Sequence, residues 1–245
     1  MRIVALSDQH GYLPEIPPCD LLIIAGDVCP DGFGRHVARD APEQQKAWFD
    51  QTLRPWVAKA PATRTILTWG NHDWCGQLCS FEDASSAASA NALTIVVDDA
   101  TKVPSGGSAG GPITVWASPW SNQFGDWAFM KAPANLAPVY AAIPAGIDIL
   151  VSHQPPYGYG DQCADFASPP HHAKSAWRGP RPGRIINVGS RELLATIDRV
   201  RPKIVVCGHI HEGYGQFERN STRIYNVSVV DEYYQLVRGP TVIDL

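Results

Sequence analysis

Five short segments of the chain end in residues that commonly bind metal ions. They are Asp8-Gln9-His10, Gly26-Asp27, Gly70-Asn71-His72-Asp73, Ser152-His153 and Gly208-His209-Ile210-His211. Carboxylate oxygens and imidazole nitrogens form sites for metal ions that activate water. Asp8 and His10 are two residues apart, as are His209 and His211, and this spacing places both side chains on one face of a strand. Together with Asp27, Asn71 and His153, these four residues supply enough ligands for two ions.

Each of the five segments follows a short apolar run that is rich in β-branched residues. The runs cover residues 3–6, 21–24, 65–69, 147–151 and 203–207. Runs of this length are typical of buried strands. Because open α/β sheets bind their ligands beyond the carboxyl ends of strands, we expect five strands to deliver these side chains to one edge.

Helices and further strands complete the predicted framework. We expect a helix over residues 43–59 that Pro55 kinks or shortens, and a second helix that starts after the N-cap Ser190 and ends before Pro202. Further strands are expected over residues 91–97, 113–117, 224–230 and 233–237. The Gly- and Ser-rich residues 104–112 are interpreted as a hairpin tip, with a linker between domains as the alternative. Strands that alternate with helices indicate an α/β core.

Length and composition limit the class of protein. A chain of 245 residues with 44% hydrophobic residues suits one large domain or two small ones, and we expect a single domain over residues 1–245. The formal net charge of −4 gives no basic surface for a nucleic-acid polymer. No apolar run approaches the roughly 20 residues of a membrane span, and the N-terminal residues lack signal-peptide features, so we expect a cytoplasmic protein. The six cysteines form no Cys-x-x-Cys pair and are expected to be free thiols.

The ordered set of ligand segments resembles the metallophosphoesterase (calcineurin-like) superfamily, and the resemblance spans residues 2–231. Closer similarity is to the metallophosphoesterase-domain-containing proteins and the class III cyclic-nucleotide phosphodiesterases. The closer similarity rests on Ser118-Pro119-Trp120, Asp126-Trp127-Ala128-Phe129, His153-Gln154-Pro155-Pro156, Gly160-Asp161-Gln162-Cys163 and residues 208–215. The chain lacks the Asp-Arg-Gly triplet of phosphoprotein phosphatases and the tyrosine ligand of purple acid phosphatases.

The resemblance implies a fold and an assignment of ligands. The fold is an α/β (α+β) sandwich of two mixed sheets packed face to face with helices outside. Asp8, His10, Asp27 and His211 would hold one ion. Asp27, Asn71, His153 and His209 would hold the other, with Asp27 between the two. Mixed nitrogen and oxygen ligands suit several divalent or trivalent ions, and we expect Mn, Fe or Zn.

The residues around these ligands have expected roles as well. In the family, the histidine at the position of His72 contacts the phosphate and helps to protonate the leaving oxygen, and we expect Asp73 to orient it. Tyr157 and Tyr159 belong to a long substrate-side loop over residues 155–184, where they either stack on an aromatic group or pack the loop. Trp127 is expected in the core.

The predicted function is hydrolysis of a small phosphodiester or nucleotide by attack of a hydroxide shared by two metal ions. Cyclic nucleotides and small nucleotidyl or aryl diesters are the candidate substrates. The alternatives are a phosphomonoesterase, a nucleotide pyrophosphatase, and a non-catalytic scaffold or nucleotide-binding module that keeps its metal for structure. The sequence leaves the oligomeric state open, and a dimer is one option.

Overall fold

Two mixed β-sheets form the framework of the computed structural model, which describes residues 1–33, 36–81, 91–105, 111–165 and 184–245. The strands of the first sheet are β1 (Arg2–Leu6), β2 (Cys19–Ala25), β3 (Ala62–Thr68), β4 (Ala92–Ile95) and β11 (Thr241–Asp244). Their order is β11-β1-β2-β3-β4. The edge strand β11 runs antiparallel to β1, and the other neighbours are parallel. The carboxyl ends of β1, β2 and β3 therefore lie at the same edge.

The second sheet has six strands. They are β5 (Asp99–Val103), β6 (Ile113–Ser118), β7 (Ile149–Ser152), β8 (Ile204–Cys207), β9 (Gly215–Arg219) and β10 (Thr222–Asn226). Their order is β9-β10-β8-β7-β6-β5, with the four central strands parallel and both edge pairs antiparallel. The central strands β7 and β8 carry the two remaining ligand segments, so all five predicted strands are confirmed.

The core lies between the two sheets and is continued on their outer faces. Ile3 and Ala5 of β1 pack in one apolar cluster with Ile149 of β7, whereas Val4 and Leu6 belong to a cluster on the other side of β1. Side chains alternate between the faces of a strand, so a strand buried on both faces has to be apolar at every position. This arrangement explains the continuous apolar runs in the sequence and confirms the predicted face-to-face sandwich.

Helices cover the outer faces of both sheets. They are α1 (Pro42–Trp48), α2 (Arg54–Lys59), α3 (Trp74–Leu78), α4 (Pro133–Ala141) and α5 (Arg191–Val200). A π-helical segment, Phe49–Leu53, joins α1 to α2 and ends two residues before Pro55. The wider π turn accommodates the missing N–H of the proline without ending the helix. The helix predicted for residues 43–59 is thus confirmed as one continuous helical stretch.

The second predicted helix is confirmed with its N-cap. The Ser190 hydroxyl accepts a hydrogen bond from the Leu193 N–H at 3.1 Å, and α5 ends two residues before Pro202. Leu193 and Ile197 of α5 pack with Leu136 and Tyr140 of α4 over the second sheet. Among the described residues, no helix is both long and apolar enough to cross a membrane.

Short elements connect the larger ones. The two-stranded ladders pair Gly32–Phe33 with His36–Val37, Ser121–Asn122 with Met130–Lys131, and Gln162–Ala164 with Ile185–Asn187. Single 3₁₀ turns cover Ala38–Asp40 and His211–Gly213. All six cysteines are free thiols, as predicted. The single domain over residues 1–245 stays a prediction.

The strands predicted near the C-terminus differ from those in the structure. β10 ends at Asn226, because the chain then leaves the second sheet and the Val229 N–H donates to the carbonyl of Ser7 in the first. The predicted strand over residues 233–237 is wrong. There the Asp231 carboxylate accepts hydrogen bonds from the N–H groups of Tyr233 and Gln235, and these bonds close a turn instead.

Candidate metal centre

The predicted ligands lie where the strands of the two sheets end. Four of them, Asp8, His10, Asp27 and His209, have positive φ angles of 58°, 42°, 53° and 68°. Residues with side chains seldom adopt this left-handed conformation, and it costs on the order of 1–3 kcal/mol at each position. The surrounding fold has to compensate for such strain, and residues under this strain cluster at functional sites.

The first group of ligand atoms consists of Asp8, His10 and His211, whose atoms lie within 4.8 Å of one another. The His211 Nε2 is 3.6 Å from Asp8 Oδ1. The His10 Nε2 is buried and has no hydrogen-bond partner among the described residues. A buried nitrogen without a partner is costly unless a ligand or ion satisfies it, so this group fits a metal ion.

The second group consists of Asp27, His153 and His209, also within 4.8 Å of one another. The His153 Nε2 lies 3.2 Å from Asp27 Oδ2 and 2.9 Å from the Oδ1 of Asn71. Asn71 therefore lies beside this group, and its role as a metal ligand stays a prediction. Two oxygens and two imidazoles that converge in this way form a second set of hard and borderline donors, which fits a metal ion of the same type.

The imidazoles are oriented by hydrogen bonds at Nδ1. His153 donates to the carbonyl of Ala25 at 2.9 Å, and His211 donates to the carbonyl of Asp231 at 2.9 Å. His10 donates to Asp31 Oδ1 at 3.1 Å. Histidine ligands of metals commonly donate their other ring N–H in this way, which leaves Nε2 free to bind the ion.

Asp8 links the two groups of ligand atoms. Its carboxylate accepts the backbone N–H of His209 at 2.9 Å and 3.0 Å, while it faces His211 of its own group. Among the described residues, Asp27 lies with His153 and His209, so its role between two ions stays a prediction. The other predicted ligands lie in two groups, and their assignment to two ions stays a prediction as well.

Charges within the site shift the pKa values of the carboxylates. Burial raises the pKa of Asp8, but the hydrogen bond and charge of His211 outweigh burial and lower it to about 2. Burial also opposes ionisation of Asp27, yet the charge of His153 holds its pKa well below the usual range. Both carboxylates are therefore ionised near pH 7.

The imidazoles divide into charged and neutral groups. Burial lowers the pKa of His153, but the charge of Asp27 raises it to about 9. For His209, burial and the neighbouring charge of His153 lower the pKa to about 3. In the metal-free protein His153 thus carries positive charge that an ion would otherwise bring, whereas His209 is neutral.

The carboxylate that contacts His72 is Asp31, which is not among the site residues predicted from the sequence. Asp31 Oδ1 accepts hydrogen bonds from the Nδ1 of His72 at 2.5 Å and from the Nδ1 of His10 at 3.1 Å. Burial lowers the pKa of His72, but the charge of Asp27 and the hydrogen bond to Asp31 raise it to about 9. His72 is therefore protonated near pH 7 and can donate a proton. The sequence feature that could have identified Asp31 is its position four residues after Asp27, which makes it a second aspartate in the same loop.

Asp73 has a different role from the one predicted. Its Oδ1 accepts the N–H groups of Val28 and Cys29, both at 3.0 Å, and its Oδ2 accepts the N–H of Gly70 at 2.9 Å. The buried carboxylate thus joins the loops that follow β2 and β3, so it positions the backbone of two ligand segments. The orientation of the His72 ring comes from Asp31 instead.

Exposed aromatic residues surround the ligands. The Trp127 ring stacks on His72, with 4.5 Å between the ring centroids and 28° between the planes, and it is 41% exposed. Tyr234 lies 4.6 Å from the His10 ring and 5.1 Å from the His211 ring. The prediction that Trp127 belongs to the core is therefore wrong, and no local pattern distinguished Tyr234.

The predicted substrate-side loop over residues 155–184 is described only in part. Tyr157 lies under the guanidinium of Arg191, and the Tyr159 hydroxyl bonds to Arg219, so both rings pack the loop. Asp161 accepts the N–H groups of Gly158 and Gly189 at 2.9 Å each, which joins the start of the loop to the residues that follow it. Residues 166–183 of the loop, with His171 and His172, lie outside the described residues, as do residues 106–110 of the predicted hairpin tip.

Comparisons with known proteins agree with this geometry. Metallophosphoesterase domain-containing protein 1 of Homo sapiens is 30% identical over 267 residues, which cover all of this chain and 71% of that protein. The UPF0046 protein T07D4.2 of Caenorhabditis elegans is 27% identical over 274 residues, and the chain spans 60% of its length. The crystal structure of TT1561 of Thermus thermophilus has the same fold, with a TM-score of 0.50 and 12% identity over 99% of this chain and 98% of that one.

The family model for calcineurin-like phosphoesterases matches residues 1–213, a range that contains all seven predicted ligands. The two-sheet fold and the convergent carboxylate, amide and imidazole groups are consistent with that match. The chain therefore belongs to the calcineurin-like phosphoesterase family of metal-dependent phosphoesterases.

Proposed function

We propose that the protein hydrolyses small phosphodiesters with two metal ions bound at the candidate metal centre. The observation that carries this proposal is the pair of adjacent ligand groups, Asp8-His10-His211 and Asp27-His153-His209, next to a protonated His72. Manganese, iron and zinc match the mixed nitrogen and oxygen donors. When bound, such ions would activate water and neutralise charge on the phosphate oxygens.

The residues of the chain supply the other parts of the reaction. Asn71 and the ionised carboxylates would hold the ions, and the oriented imidazoles would complete their coordination. His72, kept protonated by the charge of Asp27 and the hydrogen bond to Asp31, can give its Nε2 proton to the leaving oxygen. The hydrogen bond from Nδ1 to Asp31 leaves that Nε2 atom available to the substrate.

Space beside His72 favours a diester over a monoester. A cavity opens next to this histidine, and Trp127 and Tyr234 are part of its lining. A diester has a second ester arm that such a cavity can hold, whereas a monoester has none. The cavity therefore supports a diester as the substrate.

The test compares bis(p-nitrophenyl) phosphate with p-nitrophenyl phosphate as substrates of the Mn²⁺-loaded protein. We expect turnover of the diester, and we expect Asp27→Ala and Asn71→Ala each to abolish it and to lower the bound metal measured by elemental analysis. Asp99→Ala, a change at an exposed aspartate of β5, serves as the control and should leave both unchanged. Undiminished activity in both ligand variants would contradict the proposal, and preference for the monoester would replace the diester with the monoester as substrate.

A further inference from the structure

A cavity of about 480 Å³ opens beside the metal centre. It is lined by Asp31, Ala38, Arg39, His72, Trp74, Asp126, Trp127 and Tyr234. His72 and its partner Asp31 belong to both the cavity wall and the candidate site. A phosphate held between the ligands and His72 would therefore have one of its two ester arms next to this cavity.

The cavity wall is rich in aromatic rings that remain partly exposed. Trp127 covers His72 with one face and is 41% exposed, and Tyr234 is 39% exposed. Trp74 is buried and completes the aromatic lining under the guanidinium of Arg39, 5.5 Å from its centroid. Large exposed aromatic side chains around a concave site are typical of surfaces that stack on planar ligands.

Tyr234 is held in its position by the same turn that orients a metal ligand. Its φ angle is 60°, a strained value for a residue with a bulky side chain. Its N–H donates to the carbonyl of Asp231 at 3.0 Å, and that carbonyl also accepts the Nδ1–H of His211 at 2.9 Å. Backbone strain that is maintained beside a candidate metal ligand indicates that the position of the Tyr234 ring serves the function of the site.

The charged residues of the cavity determine what kind of arm it accepts. Arg39 forms an ion pair with Asp126 at 2.5 Å, so its positive charge is already matched. Asp31 is paired with His72 in the same way, so the charges of the lining are balanced. A second phosphate group would find no unmatched cation in this lining, whereas a neutral arm with hydrogen-bonding groups would meet both donors and acceptors.

We propose that this cavity is a specificity subsite for a planar, uncharged aromatic ester arm, with Trp127 and Tyr234 as the stacking residues. The volume falls in the range of about 300–1,000 Å³ that is usual for small-molecule sites. A nucleoside and a simple aryl group share this chemistry. The inference rests on the proposed function only for the position of the phosphate, because stacking itself requires no turnover.

The experiment measures binding of three diesters that carry the same single charge. Dimethyl phosphate, methyl phenyl phosphate and adenosine 5′-methyl phosphate are titrated calorimetrically into the Mn²⁺-loaded protein. We expect at least one aromatic diester to bind about tenfold more tightly than dimethyl phosphate, in keeping with base stacking on aromatic side chains. Tighter binding of the adenosine ester identifies a nucleoside arm, and equal binding of both aromatic esters identifies a simple aryl arm.

Substitutions of the stacking residues test whether the preference for aromatic diesters arises in the cavity. The preference is the affinity for an aromatic diester divided by the affinity of the same variant for dimethyl phosphate. Trp127→Ala and Tyr234→Ala should each remove most of the roughly tenfold preference, and Trp127→Phe should retain much of it. Tyr233→Ala, at the exposed neighbouring tyrosine outside the lining, is the matched control and should keep the full preference. Equal binding of all three diesters by the wild-type protein overturns the subsite. That result leaves the proposed function intact if bis(p-nitrophenyl) phosphate is still hydrolysed.

Discussion

Gly70 packs against the loops that carry Asp27 and His153 of the second ligand group, and replacing it with alanine tests that packing. A Cβ atom built there would lie 2.5 Å from the backbone nitrogen of Asp27 and 2.6 Å from Cε1 of His153, and it would collide with the Asp27 carboxylate. The φ angle of Gly70 is not in the left-handed region, so alanine adds no backbone strain. The substitution therefore measures the steric contact alone.

The size of the effect follows from these distances. Non-bonded atoms separate to about 3.5 Å, so Asp27 and His153 must each move by roughly 1 Å. Overpacking of this kind costs typically about 1–3 kcal/mol of unfolding free energy. Metal ligands need to be placed within about 0.2 Å, and displacement by about 1 Å in an active site can cost about a hundredfold in rate. We therefore expect moderate destabilisation and near-complete loss of metal at this group.

Two assays check the Gly70→Ala prediction. Urea unfolding of the metal-free protein gives the change in unfolding free energy, and elemental analysis with diester turnover gives the loss of metal and activity. The control is Gly239→Ala, where no atom lies within 4 Å of the added Cβ, and it should match the wild type. If Gly70→Ala also retained wild-type stability, metal content and turnover, the close packing of the ligand loops would be refuted.

Two further predictions concern protons. Asp31→Asn should lower the pKa of His72 from about 9 and reduce diester turnover about ten- to hundredfold. NMR titration of the metal-free protein measures the pKa, and steady-state kinetics measure the turnover. The control Asp20→Asn should change neither. An unchanged pKa would rule out Asp31 as the partner. Because His153 holds a proton below pH 9, metal affinity should rise between pH 6.5 and 9, while the metal-free protein loses unfolding free energy over the same window. Chelator competition and urea unfolding at several pH values measure both; affinity that is independent of pH contradicts the assignment.

The convergence of the candidate ligands could be predicted because they follow strands that are buried on both faces. A run such as residues 21–24 has to be apolar throughout, and the first polar residue beyond it, Asp27, marks the end of the strand. Parallel neighbours then bring these ends to one edge. The bounds of helix α5 could also be predicted, because the N-cap Ser190 and the helix-ending Pro202 act on the residues next to them.

Features that depend on contacts between distant segments could not be predicted in the same way. Asp31 approaches His72 across 41 positions of the chain, and Trp127 approaches it across 55. Helix α4 contains Pro133 and Pro138 and lacks a strong apolar stripe, so its sequence resembles a loop. The turn near Tyr234 is rich in residues that favour strands, and its shape depends on hydrogen bonds to the carboxylate and the backbone of Asp231.

The left-handed backbone at Asp8, His10, Asp27 and His209 has a consequence for how the protein tolerates change over generations. Glycine adopts this conformation without penalty, so a substitution by glycine at His10 or His209 relieves strain on the order of 1 kcal/mol while it removes a candidate ligand. The buried carboxylates of Asp8 and Asp27 also accept backbone N–H groups, so their loss would weaken the fold as well. Random mutation at either histidine can therefore abolish the metal centre without endangering the fold. Only continuous selection for the chemistry keeps these two imidazoles in place, and descendants released from that selection would persist as stable, inactive sandwiches.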